Sequence, residues 1–375
     1  MKKTVVIIGA GFAGLTLLDS LSRFRETLDI KLIDQKGTSD FLPLLPDAIG
    51  RGVSPRYLER DTLRLCKNRG IEFIKKPVSS VNLDSREVIL NGTSLKYDYL
   101  VIASGSQTNF YGNNNIENSS YKIDSVDDAD KLLRLLRGKV FKNYIIAGGG
   151  YTGIEVATNL ELFLRRHGIN GEVVIVERSP SILGPLPEWM KKYVLANLSK
   201  LKIKVIVQSA LEKIESDKVH LAGGIIFDSA LVVWAAGVRT ADFIQHLPVK
   251  KNPQGRLEVD EYLRLNDNCF VAGDASYVAQ DNVYLRMAVQ FSISQAKVIA
   301  KNIINMMGSR KLIKYEPLDL GYIIPMANNT GCGSVFGLNI KGLLSVFLHY
   351  TMCIYRTRGL RNKLGIVFCL LKGGR

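Results

Sequence analysis

Two short glycine-rich segments constrain this chain more than anything else in it. Residues 4–8 form an apolar run that ends in Gly9-Ala10-Gly11-Phe12-Ala13-Gly14. Residues 143–147 form a second run that ends in Gly148-Gly149-Gly150-Tyr151-Thr152-Gly153. After each loop the apolar spacing predicts a helix, over 15–24 and 154–166, and then a second short strand, over 30–33 and 173–176. Each second strand stops at a carboxylate, Asp34 or Glu177. Strand, glycine turn, helix and parallel strand make a βαβ unit. The loops start 139 residues apart, so the chain holds two such folds. At 375 residues there is room for two or three domains.

Each glycine has a mechanical task. The first permits the tight turn, the second lets backbone approach a pyrophosphate, and the third lets helix pack on strand. The helix N-terminus then offers free N–H groups to the anion. Asp34, 20 residues after Gly14, and Glu177, 24 after Gly153, are placed to accept hydrogen bonds from ribose hydroxyls. A carboxylate at 177 favours a free 2′-hydroxyl over a 2′-phosphate, which predicts NADH over NADPH, although Arg178 follows it. Phe12, Ala13 and Thr152 within the loops, and Gln35 beside Asp34, are further candidate cofactor contacts. So are Ala103 and Gly105, which close the strand predicted over 99–103, and Gly237, which ends the strand over 231–235. Residues 113–120, polar and Asn-rich, read as a loop. A short strand over 269–272 leads into Gly273-Asp274, and a long helix is expected over 286–307.

The segment Phe270-Val271-Ala272-Gly273-Asp274 resembles that of the two-dinucleotide flavoproteins, the FAD- and NAD-dependent pyridine nucleotide reductases. The resemblance implies FAD on Gly9, Gly11, Gly14, Asp34 and Asp274, and NADH on Gly148, Gly150, Gly153 and Glu177. Ala103-Ser104-Gly105 differs from the family's usual Ala-Thr-Gly but keeps the hydroxyl. Disulfide reductases of this group carry a redox cysteine in the stretch matching residues 40–51, where this chain has none. Instead Phe41-Leu42-Pro43-Leu44-Leu45-Pro46 is similar to type II NADH dehydrogenases and sulfide:quinone oxidoreductases. Gly148–Glu155 and Val233-Trp234-Ala235-Ala236-Gly237-Val238 resemble the type II dehydrogenases, and Gln290 and Ala296 match their quinone-site helix, with Ser292 and Ser294 departing from its usual Ala and Gln. The sulfide enzymes need paired cysteines, and Tyr151 and Thr152 stand where one would be; Cys332 and Cys353 could only supply the other side.

The fold expected is therefore α/β, two Rossmann-like dinucleotide-binding domains plus a C-terminal membrane-associating region. The boundaries are 1–108 and 253–310 for the FAD domain, 109–252 for the NADH domain and 311–375 for the tail. The resemblance implies hydride transfer from NADH to flavin and then two electrons to a quinone, with Glu155 and Gln290 as catalytic candidates. Glu155, one turn into its helix, is a proton relay or a nicotinamide-positioning group; Gln290 is a hydrogen-bond partner of flavin or quinone. The long helix should aim its N-terminus at the flavin pyrimidine. A soluble NADH-dependent reductase of an iron–sulfur protein, docking an acidic partner, and a non-catalytic NADH sensor stand as alternatives.

Charge separates the tail from the rest. The net charge is +15, yet the last acidic residue is Asp319. The 56 residues after it carry Lys341, Arg356, Arg358, Arg361, Lys363, Lys372 and Arg375, separated by apolar stretches over 342–355 and 364–371. Basic and apolar segments in alternation favour an anionic membrane surface over nucleic acid. The expected location is peripheral, on the cytoplasmic side of the cell membrane, with a homodimer left open. No run of 18 apolar residues exists, so a spanning bundle is not expected. The run at 4–8 is too short for a signal peptide, whose core needs roughly 7–15 residues. Five cysteines without a CxxC pair exclude a zinc ribbon or dithiol motif, and lone His246 and His349 predict no metal.

Overall fold

The computed structural model describes residues 1–278 and 285–373. It divides into two compact units, residues 1–39, 60–107 and 238–319, and residues 40–59, 108–237 and 320–375. These units take in residues 40–59 with the second glycine loop, and their cuts fall after 107, 237 and 319 rather than after 108, 252 and 310.

The first unit is built on a six-stranded sheet. Its order is Arg264–Asn266, Cys269–Val271, Tyr99–Ile102, Lys3–Ile8, Leu28–Asp34 and Glu72–Lys75. All pairings are parallel except at the Arg264–Asn266 edge. Lys3–Ile8 lies in the middle, which explains its uninterrupted apolar run: Val5, Val6 and Ile7 are covered on both faces. The helix Phe12–Leu21 covers one face and packs against the helix Val289–Met307.

The second unit repeats the plan with four parallel strands, in the order Lys204–Ile206, Glu172–Val176, Asn143–Ala147 and Ala230–Trp234. The helix Tyr151–Arg166 follows the central strand and ends with Arg165 and Arg166 on its negative pole. An antiparallel sheet of Gly321–Met326, Thr330–Val335 and Leu338–Lys341 packs on that helix. The helix Leu343–Arg356 lies on this sheet and is followed by Leu360–Gly373.

Several elements differ from the sequence expectation. Both loop helices begin at once after the middle glycine, at Phe12 and Tyr151, three residues early; the first ends at Leu21, with a 3₁₀ turn over Ser22–Phe24. The stretch read as a loop over 113–120 contains the helix Asn114–Ser119, started by the Asn113 side chain, which accepts the Ile116 N–H at 3.1 Å. The long helix begins at Val289 rather than 286, because Ala288 is extended and caps it with its carbonyl. Gln290 is therefore its second residue and not one turn inside. Arg375 lies outside the described residues.

Candidate functional site

The two glycine loops have nearly the same backbone. Gly9 has φ +102° and Gly148 φ +113°, a region that L side chains rarely adopt. A Cβ on Gly14 would sit 1.8 Å from the Gly9 carbonyl oxygen, and one on Gly153 1.9 Å from that of Gly148. The third glycines are thus demanded by helix–strand contact within the protein. The middle glycines are not: Gly11 (φ −75°, ψ −162°) and Gly150 (φ −79°, ψ −170°) are extended, and a Cβ there meets nothing within 4 Å. Space is kept open above backbone where a pyrophosphate would approach.

Each strand-end carboxylate is tied to its own loop. Asp34 accepts the Ala10 N–H at 2.7 Å and the Lys36 N–H at 2.7 Å. Glu177 accepts those of Gly149 and Ser179, both at 2.7 Å. Burial works to raise the Glu177 carboxyl, but the Ser179 and Gly149 N–H groups outweigh it and hold it below the usual range. Sequence reasoning expected these carboxylates to face a ribose; they also brace the turn.

In the first unit the loop opens on a cleft of about 260 Å³ lined by Gly9, Asp34, Gln35, Lys76, Ser104 and Ser106. The Ser104 hydroxyl is buried there without a partner. Phe12 is half-buried and Ala13 buried at the start of the helix, while Gln35 is exposed at the cleft edge. Ala103 supplies the carbonyl that abuts Gly9, and Gly105 has φ +67°. Asp274 accepts the Ser106 hydroxyl at 2.9 Å, and burial raises its carboxyl. A dinucleotide fits this set: open backbone for the pyrophosphate, an orphaned hydroxyl, and a carboxylate near each end.

Two residues that sequence reasoning missed hold the Gly273-Asp274 turn. Gln295, 1% exposed, accepts the Gly273 N–H at 2.7 Å and the Ser276 hydroxyl at 3.1 Å. Buried Arg256 donates to the Ser276 carbonyl at 2.9 Å and the Leu285 carbonyl at 2.8 Å. Gln290 instead donates to Asp319 at 2.9 Å, which also binds Arg286 at 2.7 Å.

In the second unit Thr152 is exposed beside the loop, and a Cβ on Gly237 (φ +151°) would strike the Tyr111 hydroxyl at 2.3 Å. Glu155 is the fifth residue of the Tyr151–Arg166 helix. Burial, reinforced by the Asp47 carboxylate, holds its carboxyl well above the usual range. Cys332 and Cys353 are buried and reduced; burial pushes the Cys332 thiol to about 12. The motif residues therefore fall into two sets, one around each loop, and the described residues contain no cluster suited to a metal ion.

Residues 3–299 match the sequence profile of the pyridine nucleotide-disulphide oxidoreductases. The chain belongs to that family. It is 27% identical over 332 residues to an NADH dehydrogenase-like protein of Mycobacterium tuberculosis, covering 80% of each chain. It is 24% identical to the type II NADH:quinone oxidoreductase of Staphylococcus haemolyticus, over 92% of this chain and 93% of that one. Its fold matches NDH2 from Plasmodium falciparum, solved in complex with NADH, with a TM-score of 0.88 at 16% identity, over 100% of this chain and 99% of that one.

Proposed function

We propose that this chain is an FAD-dependent NADH:quinone oxidoreductase, with FAD on the first glycine loop and NADH on the second. The observation that carries the reading is the pair of loops, each with an open middle glycine and a strand-end carboxylate. Likeness to the staphylococcal quinone oxidoreductase over nearly the whole chain supports it. Bound flavin supplies a two-electron carrier between NADH and quinone. Gly9, Gly11, Phe12, Ala13, Gly14 and Asp34 seat its pyrophosphate and ribose, with Gln35, Ala103, Gly105, Gly273 and Asp274 around them. Gly148, Gly150, Thr152, Gly153, Glu177 and Gly237 seat NADH, and the Glu177 charge disfavours a 2′-phosphate. Glu155, its carboxyl held well above the usual range, is the acid for the acceptor, and Gln290, through Asp319, is a polar group at the head of its helix. The domain assignment follows: FAD with 1–108 and 253–310, NADH with 109–252.

The tail serves the membrane surface. Leu343–Arg356 exposes Leu344, Phe347 and Tyr355, and Leu360–Gly373 exposes Leu360, Leu364, Phe368 and Leu371. On the second helix these recur every three or four residues, and on the first they lie three and then eight apart, so each helix carries an exposed apolar stripe. Arg361 and Lys372 flank them. Among the described residues no helix is long and apolar enough to cross a bilayer. Both helices lie in the interface, on the cytoplasmic leaflet where basic flanks are retained.

The test is NADH oxidation by the FAD-loaded protein with a short-chain quinone or an iron–sulfur protein as acceptor, and sulfide as rival donor. Quinone reduction at the expense of NADH is expected. Reduction by sulfide but not NADH, or faster turnover with the iron–sulfur protein, overturns the reading.

A further inference from the structure

The short helix Leu45–Gly50 crosses the helix Tyr151–Arg166 so closely that a Cβ on Gly50 would lie 2.3 Å from the Asn159 carbonyl oxygen. That crossing brings two carboxyl-bearing residues, buried Asp47 and half-buried Glu155, into one region of the second unit. Their surroundings are unequal. Asp47, 3% exposed, accepts the Tyr350 hydroxyl at 2.6 Å, and Arg51 Nε lies 3.3 Å from the same oxygen. Arg51, 5% exposed, is itself fixed: it donates to Asn329 at 2.8 Å and lies over the Tyr350 ring, 5.1 Å from its centre. The Glu155 carboxyl has no hydrogen bond or ion pair among the described residues.

Two neighbouring carboxyl groups resist ionising together, and the proton goes to the one without partners. Burial pushes Asp47 up to about 6, with Tyr350 and Arg51 pulling it back. Glu155 is also raised, by burial and by Asp47 itself. The other groups facing the pair come from the Leu343–Arg356 helix. Burial, with Arg51 and Arg356 nearby, lowers His349 to about 4, so it is neutral. Burial raises the Tyr350 hydroxyl and the Cys353 thiol, so both keep their protons. Arg166, at the end of its helix, donates to the Gly50 carbonyl at 2.8 Å. The site thus favours Asp47 ionised against Tyr350 and Arg51, with the shared proton on Glu155.

We propose that Asp47 is a positioning residue for the proton consumed in quinone reduction: held ionised by Tyr350 and Arg51, it fixes that proton on Glu155. This rests on the function proposed above and on Glu155 as its acid. The overall reaction is NADH + H⁺ + quinone → NAD⁺ + quinol. Hydride carries both electrons and one proton; the second proton comes from outside. The O–H bond at Glu155 breaks as one forms at a quinone oxygen, both electrons arriving from NADH by way of the flavin. The Glu155 carboxylate then left beside ionised Asp47 is repelled by it and takes a proton from solvent, which restores the starting state.

The experiment compares pH profiles of kcat/KM for a water-soluble quinone, using FAD-loaded holoenzyme. Ferricyanide, which takes electrons without a proton, serves as second acceptor. For the native enzyme the quinone profile falls at high pH as Glu155 ionises. Asp47→Asn removes the neighbouring charge and moves that fall to lower pH, by about one unit or more. Asp47→Glu returns it toward the native position. Tyr350→Phe removes one of the two groups that hold Asp47 ionised, so it moves the fall part of the way in the same direction as Asp47→Asn. The shift appears with quinone and not in the ferricyanide profile. If Asp47→Asn superimposes on the native profile while Glu155→Gln abolishes the fall, the inference about Asp47 is overturned and Glu155 stands as the acid. If Glu155→Gln keeps the native fall, the acid assignment goes and this inference with it. Equal loss with both acceptors in Asp47→Asn, not restored by Asp47→Glu, assigns Asp47 a purely structural role and also overturns the inference.

Discussion

Gly11 and Gly14 separate what the protein needs from what its ligand needs. Gly11→Val places a side chain where no protein atom lies within 4 Å, on an extended backbone that valine adopts freely. Its folding cost is the loss of a favoured helix cap, about 1 kcal/mol. Lower entropy of the unfolded chain offsets this by about 0.4–1 kcal/mol. The net change is within roughly 1 kcal/mol, a shift of about 2–4 °C at most for a fold of this size. Gly14→Ala is the opposite case. Its Cβ would overlap the Gly9 carbonyl oxygen at 1.8 Å, so helix and strand must part, at a cost of several kcal/mol. The assay is thermal melting of flavin-free protein, with and without added FAD, alongside flavin content by visible absorbance. Flavin-free Gly11→Val should melt with the native apoprotein and gain nothing from FAD. The native protein, with free FAD at a hundred times its Kd, gains about 2.7 kcal/mol. Gly14→Ala should melt far lower whether or not FAD is present. Native flavin content in Gly11→Val, or a flavin-free melt as low as that of Gly14→Ala, would refute the division of labour between the two glycines.

Four further outcomes follow from the same geometry. Gly150→Val, also in open space, should purify with flavin but fail to be reduced by NADH; loss of flavin would show that the two loops are assigned the wrong way round. Glu177→Gln keeps an oxygen for the Gly149 and Ser179 N–H groups but removes the charge. The NADH/NADPH ratio of kcat/KM should fall about tenfold, equivalent to ~1.4 kcal/mol; an unchanged ratio removes Glu177 from donor choice. Gln295→Leu strands the buried Gly273 N–H, which costs about 1–3 kcal/mol, and should weaken flavin binding, whereas a native melt and native affinity would mean the turn holds without it. Phe347→Ser with Phe368→Ser strips 67% and 56% exposed rings, so the melt should stay native while binding to anionic vesicles at low salt falls; unchanged binding would put the membrane face elsewhere.

What the sequence could announce was whatever chemistry is encoded within a few residues. The glycine spacing, the strand that feeds it and the carboxylate at the end of the next strand are local, so both βαβ units were readable. Boundaries set by capping were less so. A run as polar as 113–120 looks like loop until Asn113 is seen to accept the Ile116 N–H and start a helical turn. A truncation after Gly337, natural on sequence grounds, would remove the strand Leu338–Lys341 from a three-stranded sheet and take buried Val346 and Cys353 away with their helix, because the tail is part of the second unit's core on one side and bare on the other. That two-sidedness explains why surface substitutions, not deletion, test the membrane face. The least legible feature is the most consequential chemically. Asp47 and Tyr350 are 303 positions apart, and neither sits in a motif. Their hydrogen bond exists because the helix Leu343–Arg356, late in the chain, brings Tyr350 to Asp47 on the short helix Leu45–Gly50. Only that approach gives one carboxylate of the pair partners and leaves the other, on the nucleotide-loop helix, to hold the proton. The loops determine where cofactors sit; the polarity of the acid is decided by a contact that closes nearly the whole length of the chain.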